Sequence, residues 1–210
     1  MKITVIGAGN MGSAFVKQLT RAGHQVSVTA RDAAKAEQVA AANPGARAVR
    51  AAGAAEGADA VVLATGYPEA AAALRGAGNL AGKVVIDITN PLTADYMGLT
   101  LGHGTSAAEE IAKAVPGAEL VKAFNTVFAQ VLAEGADFGN GRKADVFVAS
   151  DSERAKQTAG AIAESIGFHV VDAGPLKNAR YLEPVAGLNI YLGYGAGQGT
   201  SIAPVWIRKA

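Results

Sequence analysis

Apolar residues in this chain fall into short unbroken runs, and between the runs they recur every three or four positions. Ile3-Thr4-Val5-Ile6, Gln25–Thr29, Ala60–Ala64 and Val84–Ile88 are runs of the first kind. Their length and lack of alternation predict strands buried on both faces. Between the first two, Met11, Phe15, Leu19 and Ala22 share one helical face. Ala33–Ala42 predicts a second helix, closed by Asn43-Pro44-Gly45, and Arg47–Arg50 a short strand. A small helix or turn is expected at Ala54–Gly57 and a short helix at Glu69–Leu74.

The second half continues the alternation. Ser106-Ala107-Ala108-Glu109 has the form of a capping box, opening a helix to about Val115. Leu120–Phe124, Asp145–Ala149 and Phe168–Val171 predict strands, and Val127–Ala133 a short helix. Asp151 or Ser152 caps a helix with Ala155, Ala159, Ile162, Ala163 and Ile166 on one face, closed by Gly167. From Asn178 the chain is expected to be helical and then irregular, because Gly193–Gly199 is too rich in glycine for a stable helix. Strand–helix alternation of this kind predicts a mostly parallel sheet covered by helices on both faces. Neither a linker nor an internal repeat divides the chain, so residues 1–210 are expected to form one domain, with 174–210 as a small C-terminal extension.

The first strand runs directly into Gly7-Ala8-Gly9-Asn10-Met11-Gly12, a G-x-G-x-x-G loop inside a β-α-β unit. In that setting Gly7 allows the tight turn, Gly9 lets a pyrophosphate approach the backbone, and Gly12 lets the helix pack close to the strand. The helix start aims free N–H groups at the phosphates. The expected fold is therefore a doubly wound Rossmann α/β domain. The end of the second strand selects the cofactor. It reads Thr29-Ala30-Arg31-Asp32, with Lys35 one helical turn on. No carboxylate ends the strand to meet a ribose 2′-hydroxyl, whereas Arg31 and Lys35 suit a 2′-phosphate. Asp32 is expected to cap the following helix. The expected cofactor is NADP.

Ligands of open α/β sheets lie beyond the carboxyl ends of the strands. The exits here are Ala64-Thr65-Gly66-Tyr67, Asn90-Pro91, Asn125-Thr126 and Gly174-Pro175-Leu176. The first three exits are cofactor candidates. Tyr67, Pro91, Asn125, Gly174, Pro175 and Leu176 are candidates for holding a second substrate. No catalytic side chain is assigned and no metal site is expected. His24, His103 and His169 are scattered, and only His103, just before a helix start, suggests anion binding.

Composition narrows the partners. Net charge is +1 and aromatics make up 6% of the chain, which argues against a nucleic-acid or membrane-surface partner. No apolar run is long enough to span a bilayer. Cysteine is absent, which excludes disulfides and thiolate chemistry. A leader peptide is not expected, since the chain opens on a core strand, and a cytoplasmic location follows as the expectation. Val185–Trp206 is apolar and glycine-rich and is expected to form the interface of a homodimer.

With these residues in view, the sequence resembles the NADPH-dependent reductases of coenzyme F-420, an 8-hydroxy-5-deazaflavin, and the cytosolic oxidoreductase domain of the six-transmembrane metalloreductases. The resemblance rests on the glycine loop, Ala30-Arg31 with Lys35, and Ser106-Ala107-Ala108-Glu109. It rests also on Val121-Lys122-Ala123-Phe124-Asn125-Thr126, and on Asp172-Ala173-Gly174-Pro175-Leu176 with Asn178 and Arg180. It implies NADP held at Gly9–Met11, Arg31 and Lys35, and hydride transfer to a flavin-like partner stacked on the nicotinamide. The deazaflavin enzymes tend to carry histidine where Asn125 stands and tryptophan where Tyr67 stands. Deazaflavin, an ordinary flavin and a small molecule thus stay open as acceptor. The alternatives are an NADPH-dependent reductase of a small imine or carbonyl, and a non-catalytic module that senses NADP.

Overall fold

The strands predicted from the apolar runs assemble edge to edge in a computed structural model, which describes residues 1–207 and Lys209. β1 (Lys2–Ile6), β2 (Gln25–Thr29), β3 (Ala46–Ala48), β4 (Ala60–Leu63), β5 (Val84–Asp87) and β6 (Glu119–Lys122) form a six-stranded sheet in the order β3-β2-β1-β4-β5-β6. Every pair is parallel. Strand order reverses between β1 and β4, which opens a crevice above their carboxyl ends. Alternate residues of the same strands feed two cores. Ile3, Val5, Val28, Val62 and Ile86 pack with Phe15 and Leu19 of α1 (Asn10–Arg21), Ala36 of α2 (Ala33–Ala41), Leu132 of α5 (Ala129–Glu134) and Ile162 of α6 (Glu153–Ser165). Ile6, Val61, Leu63 and Val85 pack on the other face with Leu74 of α3 (Tyr67–Gly76) and Ile111 of α4 (Ala107–Ala114). This is the doubly wound Rossmann arrangement. Among the described residues no helix is long and apolar enough to cross a membrane.

β7 (Asp145–Val148) and β8 (His169–Asp172) form a separate parallel pair. They run against the main sheet. Lys122 and Ala149 exchange backbone hydrogen bonds of 2.9 and 3.0 Å in antiparallel register, and Ser150 Oγ then donates to the Leu120 carbonyl at 2.6 Å. The carboxyl ends of β7 and β8 therefore open on the edge of the molecule opposite the crevice. From there a 3-10 turn (Leu176–Asn178) leads into α7 (Ala179–Ile190). α7 climbs back to the crevice and ends in a π-helical turn, Tyr191–Gly195.

Several boundaries differ from the sequence expectation. β3 occupies Ala46–Ala48 rather than Arg47–Arg50, and β6 stops at Lys122, short of Phe124. Phe124 takes a left-handed φ of 58° because its ring is buried edge-on between Phe15 and Phe168, at centroid distances of 4.9 and 5.8 Å. Helical structure persists through Gly193 and Gly195 despite their low propensity. Gly193 lies against the Phe128 ring, where a Cβ would stand 2.7 Å from a ring carbon.

The helix starts follow the polar signals. Asp32 Oδ1 accepts from the Ala34 N–H at 3.1 Å. Ser152, rather than Asp151, caps α6, while Asp151 accepts from the Leu176 N–H at 3.1 Å. Ser106 Oγ accepts from the Glu109 N–H at 3.2 Å and donates to the Glu109 carboxylate at 2.7 Å. Glu109 in turn receives two hydrogen bonds from Arg180, 2.8 and 2.7 Å, tying α4 to α7. The Arg180 guanidinium, more than the Ser106 hydroxyl, holds the Glu109 carboxyl below the usual carboxylate range. A carboxyl depressed in the folded state stabilises the fold above its unfolded pKa and loses that contribution as pH falls through the folded value. Glu109→Gln is therefore expected to lower stability at pH 7 by about 1 kcal/mol, the pair being partly exposed. It should also flatten the acid limb of a plot of Tm against pH. An acid limb identical to that of the wild type would refute the assignment.

Candidate functional site at the crevice

The glycine loop is held by packing that leaves no room for side chains. Gly7 has φ +120°, its N–H donates to the Thr29 carbonyl at 2.8 Å, and a Cβ there would stand 2.2 Å from the Ala64 carbonyl oxygen. At Gly12 a Cβ would stand 1.9 Å from the Gly7 carbonyl oxygen. The third glycine thus lets the helix close on the loop itself, rather than on the strand as the motif alone suggested. At Gly9 nothing lies within 4 Å of a Cβ position. Only a ligand would require glycine there. Gly9 is also the N-cap of α1, with no side-chain cap and no acidic residue in the first turn. The N–H groups around Asn10 and Met11 remain available to an anion. Gly12→Ala is expected to cost about 1–3 kcal/mol by overpacking, whereas Gly9→Ala should melt with the wild type. Calorimetry of the two variants separates these outcomes.

At the end of β2, Thr29 is buried while Arg31 and Lys35 are exposed. Neither has an ion-pair partner among the described residues. Asp32 is occupied by its cap and does not stand in for the missing strand-end carboxylate. Ala64, Thr65 and Gly66 form the β4 exit, and Tyr67 begins α3 half-buried. Burial raises the Tyr67 phenol pKa above its usual value. Glu110, Glu183 and Asp87 raise it further, against a smaller opposing effect of Lys122.

A cavity of about 520 Å³ opens between the start of α1, the exits of β5 and β6, and α7. Its floor is an amide lattice. Asn90 Nδ2 donates to the Asn125 carbonyl at 2.9 Å, and Asn125 Nδ2 donates to Asn90 Oδ1 and to the Leu182 carbonyl, both at 3.0 Å. Those bonds fix the amide of Asn125 and leave its Oδ1 buried without a partner, as is Thr126 Oγ1 beside it. Buried polar atoms of this kind are uncommon and call for a ligand or water. Pro91 is buried, and its carbonyl accepts from the Thr100 N–H at 2.7 Å, closing a hairpin that presents Asp95, Tyr96 and Met97 to the cavity. Phe128 and Tyr194 complete that side.

Gly174, Pro175 and Leu176 do not join this group. They follow β8, which runs against the sheet, so their exit faces the far edge. Leu176 is buried in the core beneath α4. Strand direction places them away from the cavity. The histidines also lie elsewhere. His24 bonds Ser165 Oγ at 2.9 Å, His169 pairs with Asp145 at 2.7 Å, and His103 is an exposed loop residue.

Sequence reasoning missed a fully buried charged group. Lys122 is 0% exposed, and its Nζ meets Asp87 Oδ2 at 2.7 Å, Glu183 Oε1 at 2.9 Å and the Thr89 carbonyl at 2.7 Å. Glu183 also accepts from the N–H groups of Ala107 and Ala108, at 2.9 and 3.2 Å, at the start of α4. The available signal was a lysine and an aspartate within otherwise apolar strand runs, and a glutamate within an apolar helix. Lys122→Met is expected to cost about 3–5 kcal/mol, since it strands two buried carboxylates. Urea unfolding measures this.

The sheet order and the glycine loop at its reversal define a Rossmann dinucleotide-binding protein. A family model described as "NADP oxidoreductase coenzyme F420-dependent" matches residues 2–91. The F420-dependent NADP reductase of Methanothermobacter marburgensis is 32% identical over 209 residues, covering 91% of this chain and 92% of that protein. A solved structure of a putative F420-dependent NADP-reductase from Arthrobacter sp. FB24 superposes with a TM-score of 0.88 at 30% identity, covering 99% of this chain and all of the other. Metalloreductase STEAP3 of Rattus norvegicus is 29% identical over 185 residues, and the match spans 88% of this chain but 36% of that longer protein. The chain belongs to the family of F420-dependent NADP oxidoreductases, and NADP is its cofactor.

Proposed function

We propose that the protein transfers a hydride between NADPH and a planar, flavin-like acceptor, with deazaflavin the first candidate. The observation that carries this reading is the cavity beside the glycine loop. It is sized for ring systems, floored by Asn90, Asn125 and Thr126, and faced by Tyr96, Met97, Phe128 and Tyr194. NADP fits the residues present. The first-turn N–H groups of α1 near Gly9, Asn10 and Met11 would hold the pyrophosphate, and Arg31 and Lys35, beside Thr29 and Ala30, the 2′-phosphate. Ala64, Thr65, Gly66 and Tyr67 would line the path between. Asn125 Oδ1 as acceptor and Thr126 Oγ1 as donor match the two ends of a carboxamide, with Asn90 and Pro91 bounding the ring. When bound, NADPH supplies the hydride, and what the chain must add is orientation and exclusion of water. The whole chain acts in this reading as one NADP-binding unit whose 174–210 extension supplies the α7 wall, drawing on a cytosolic NADPH pool.

A second reading has specific support. Reduction of a small imine or carbonyl needs a proton donor, and two tyrosines, Tyr96 and Tyr194, line the cavity. NADPH oxidation measured with deazaflavin, FMN, FAD, quinones and small carbonyls distinguishes the two. Activity with carbonyls or imines alone would favour the second reading, and binding without turnover would favour a sensing module. Arg31→Ala is expected to weaken NADP binding about 10- to 100-fold while leaving NAD binding unchanged. An undiminished preference for NADP in calorimetric titration would refute the phosphate assignment.

The outward face of α7 carries Tyr181, Pro184 and Leu188, and Tyr191 continues it into the π-helical turn, all exposed at helical spacing. An uncharged apolar stripe of this kind suits a homodimer interface. Light scattering is expected to give twice the monomer mass at micromolar concentration. A monomer would refute the dimer.

A further inference from the structure

The charge around the cavity is one-sided. Asp95 is the one charged side chain that lines it, and no Lys, Arg or His does so among the described residues. The Asp95 carboxylate accepts from Thr93 Oγ1 at 2.6 Å and from the Met97 N–H at 3.1 Å. Both bonds favour its ionised form and hold its pKa low. One layer behind the opposite wall lies the buried group of Lys122, Asp87 and Glu183. Its contacts reach the wall at three points. Lys122 Nζ holds the Thr89 carbonyl between the lining residues Ile88 and Asn90. Glu183 sits beside Leu182, whose carbonyl anchors Asn125, and one helical turn before the lining residue Ala186.

The contacts of the two acidic side chains are all to donors. Asp87 Oδ1 accepts from the Thr89 N–H and Oδ2 faces the ammonium. Glu183 Oε1 faces the ammonium and the Ala108 N–H, and Oε2 faces the Ala107 N–H. One ammonium against two carboxylates leaves a net negative charge, partly offset by the positive end of the α4 dipole. The effect already shows at Tyr67, where Glu183 and Asp87 together oppose ionisation more than Lys122 favours it.

An oxidised nicotinamide ring carries a positive charge that the reduced ring lacks. We propose that the buried Lys122–Asp87–Glu183 group and Asp95 together bias the site toward the oxidised, cationic cofactor, making bound NADPH a stronger hydride donor than NADPH in solution. This inference rests on the placement of the nicotinamide in the cavity. Binding energy shared equally by the two redox forms would not change the hydride equilibrium, whereas a field acting on the ring alone does.

The test is the ratio of the dissociation constants of NADPH and NADP+, measured by calorimetry on the full chain, with 2′,5′-ADP as a probe of the phosphate sites alone. Wild type is expected to bind NADP+ more tightly than NADPH. Glu183→Gln and Asp87→Asn should each shift the ratio toward NADPH by roughly three- to tenfold, and the shift should persist at high salt. Asp95→Asn lies on an exposed hairpin and should fold normally. It should shift the ratio the same way by about two- to threefold, and salt should screen that shift. 2′,5′-ADP binding should be unchanged in all three. Equal wild-type affinities, a wild-type preference for NADPH, or an unchanged ratio in variants that still bind 2′,5′-ADP overturns the proposal. Failure of the wild type to bind 2′,5′-ADP would instead overturn the NADP reading, and this inference with it.

Discussion

A single buried ammonium organises the carboxyl end of this sheet. Lys122 joins β5 through Asp87 and the Thr89 carbonyl, and α7 through Glu183, which also satisfies the first N–H groups of α4. Four elements thereby meet at one point without contact with water. Burying three charges is expensive unless every lone pair and proton is matched. Here the matches come from parts of the chain far apart in sequence, so the group forms only when the sheet, α4 and α7 are all in place. The amide lattice of Asn90 and Asn125 stands directly on it. Remove the ammonium and the cavity floor loses the tie that fixes the β5 exit.

The other constraint is steric. The loop at Gly7, the helix at Gly12 and the β4 exit at Ala64 occupy one small volume, where a Cβ on either glycine would meet a carbonyl oxygen. That packing fixes where α1 begins and leaves its first turn uncapped over the crevice. The contrast between Gly9, open on all sides, and its two crowded neighbours separates a glycine that serves the fold from one that serves a ligand. α2, α4 and α6 end their N-termini on Asp32, Ser106 and Ser152. α1 alone of these helices presents its dipole to the site without a side chain in the way.

Much of this was legible in the sequence because the signals were local. Buried parallel strands appear as unbroken apolar runs, helices as periodic faces, and caps as Asp32, Ser106 and Ser152 at the expected places. The absence of a strand-end carboxylate and the pairing of Arg31 with Lys35 could likewise be read from adjacent residues. What the sequence did not show was non-local. Strand direction is not encoded in composition, so Gly174-Pro175-Leu176 had the look of a fourth exit, although β8 runs the other way. Lys122 and Glu183 drew no reading because their partners come from distant segments. The left-handed Phe124 was hidden for the same reason: it is imposed by Phe15 and Phe168, and nothing in its neighbours announces it.

The central claim is that the crevice orients a nicotinamide against a planar acceptor and that the reaction is a direct hydride transfer. The most direct measurement is single turnover with NADPH deuterated at the transferable position, followed by mass analysis of the reduced acceptor. The account predicts stoichiometric deuterium in the acceptor, delivered from one face of the nicotinamide, with a primary isotope effect on the transfer step. Deuterium lost to solvent, or an acceptor reduced without it, would contradict direct transfer and with it the role assigned to the cavity.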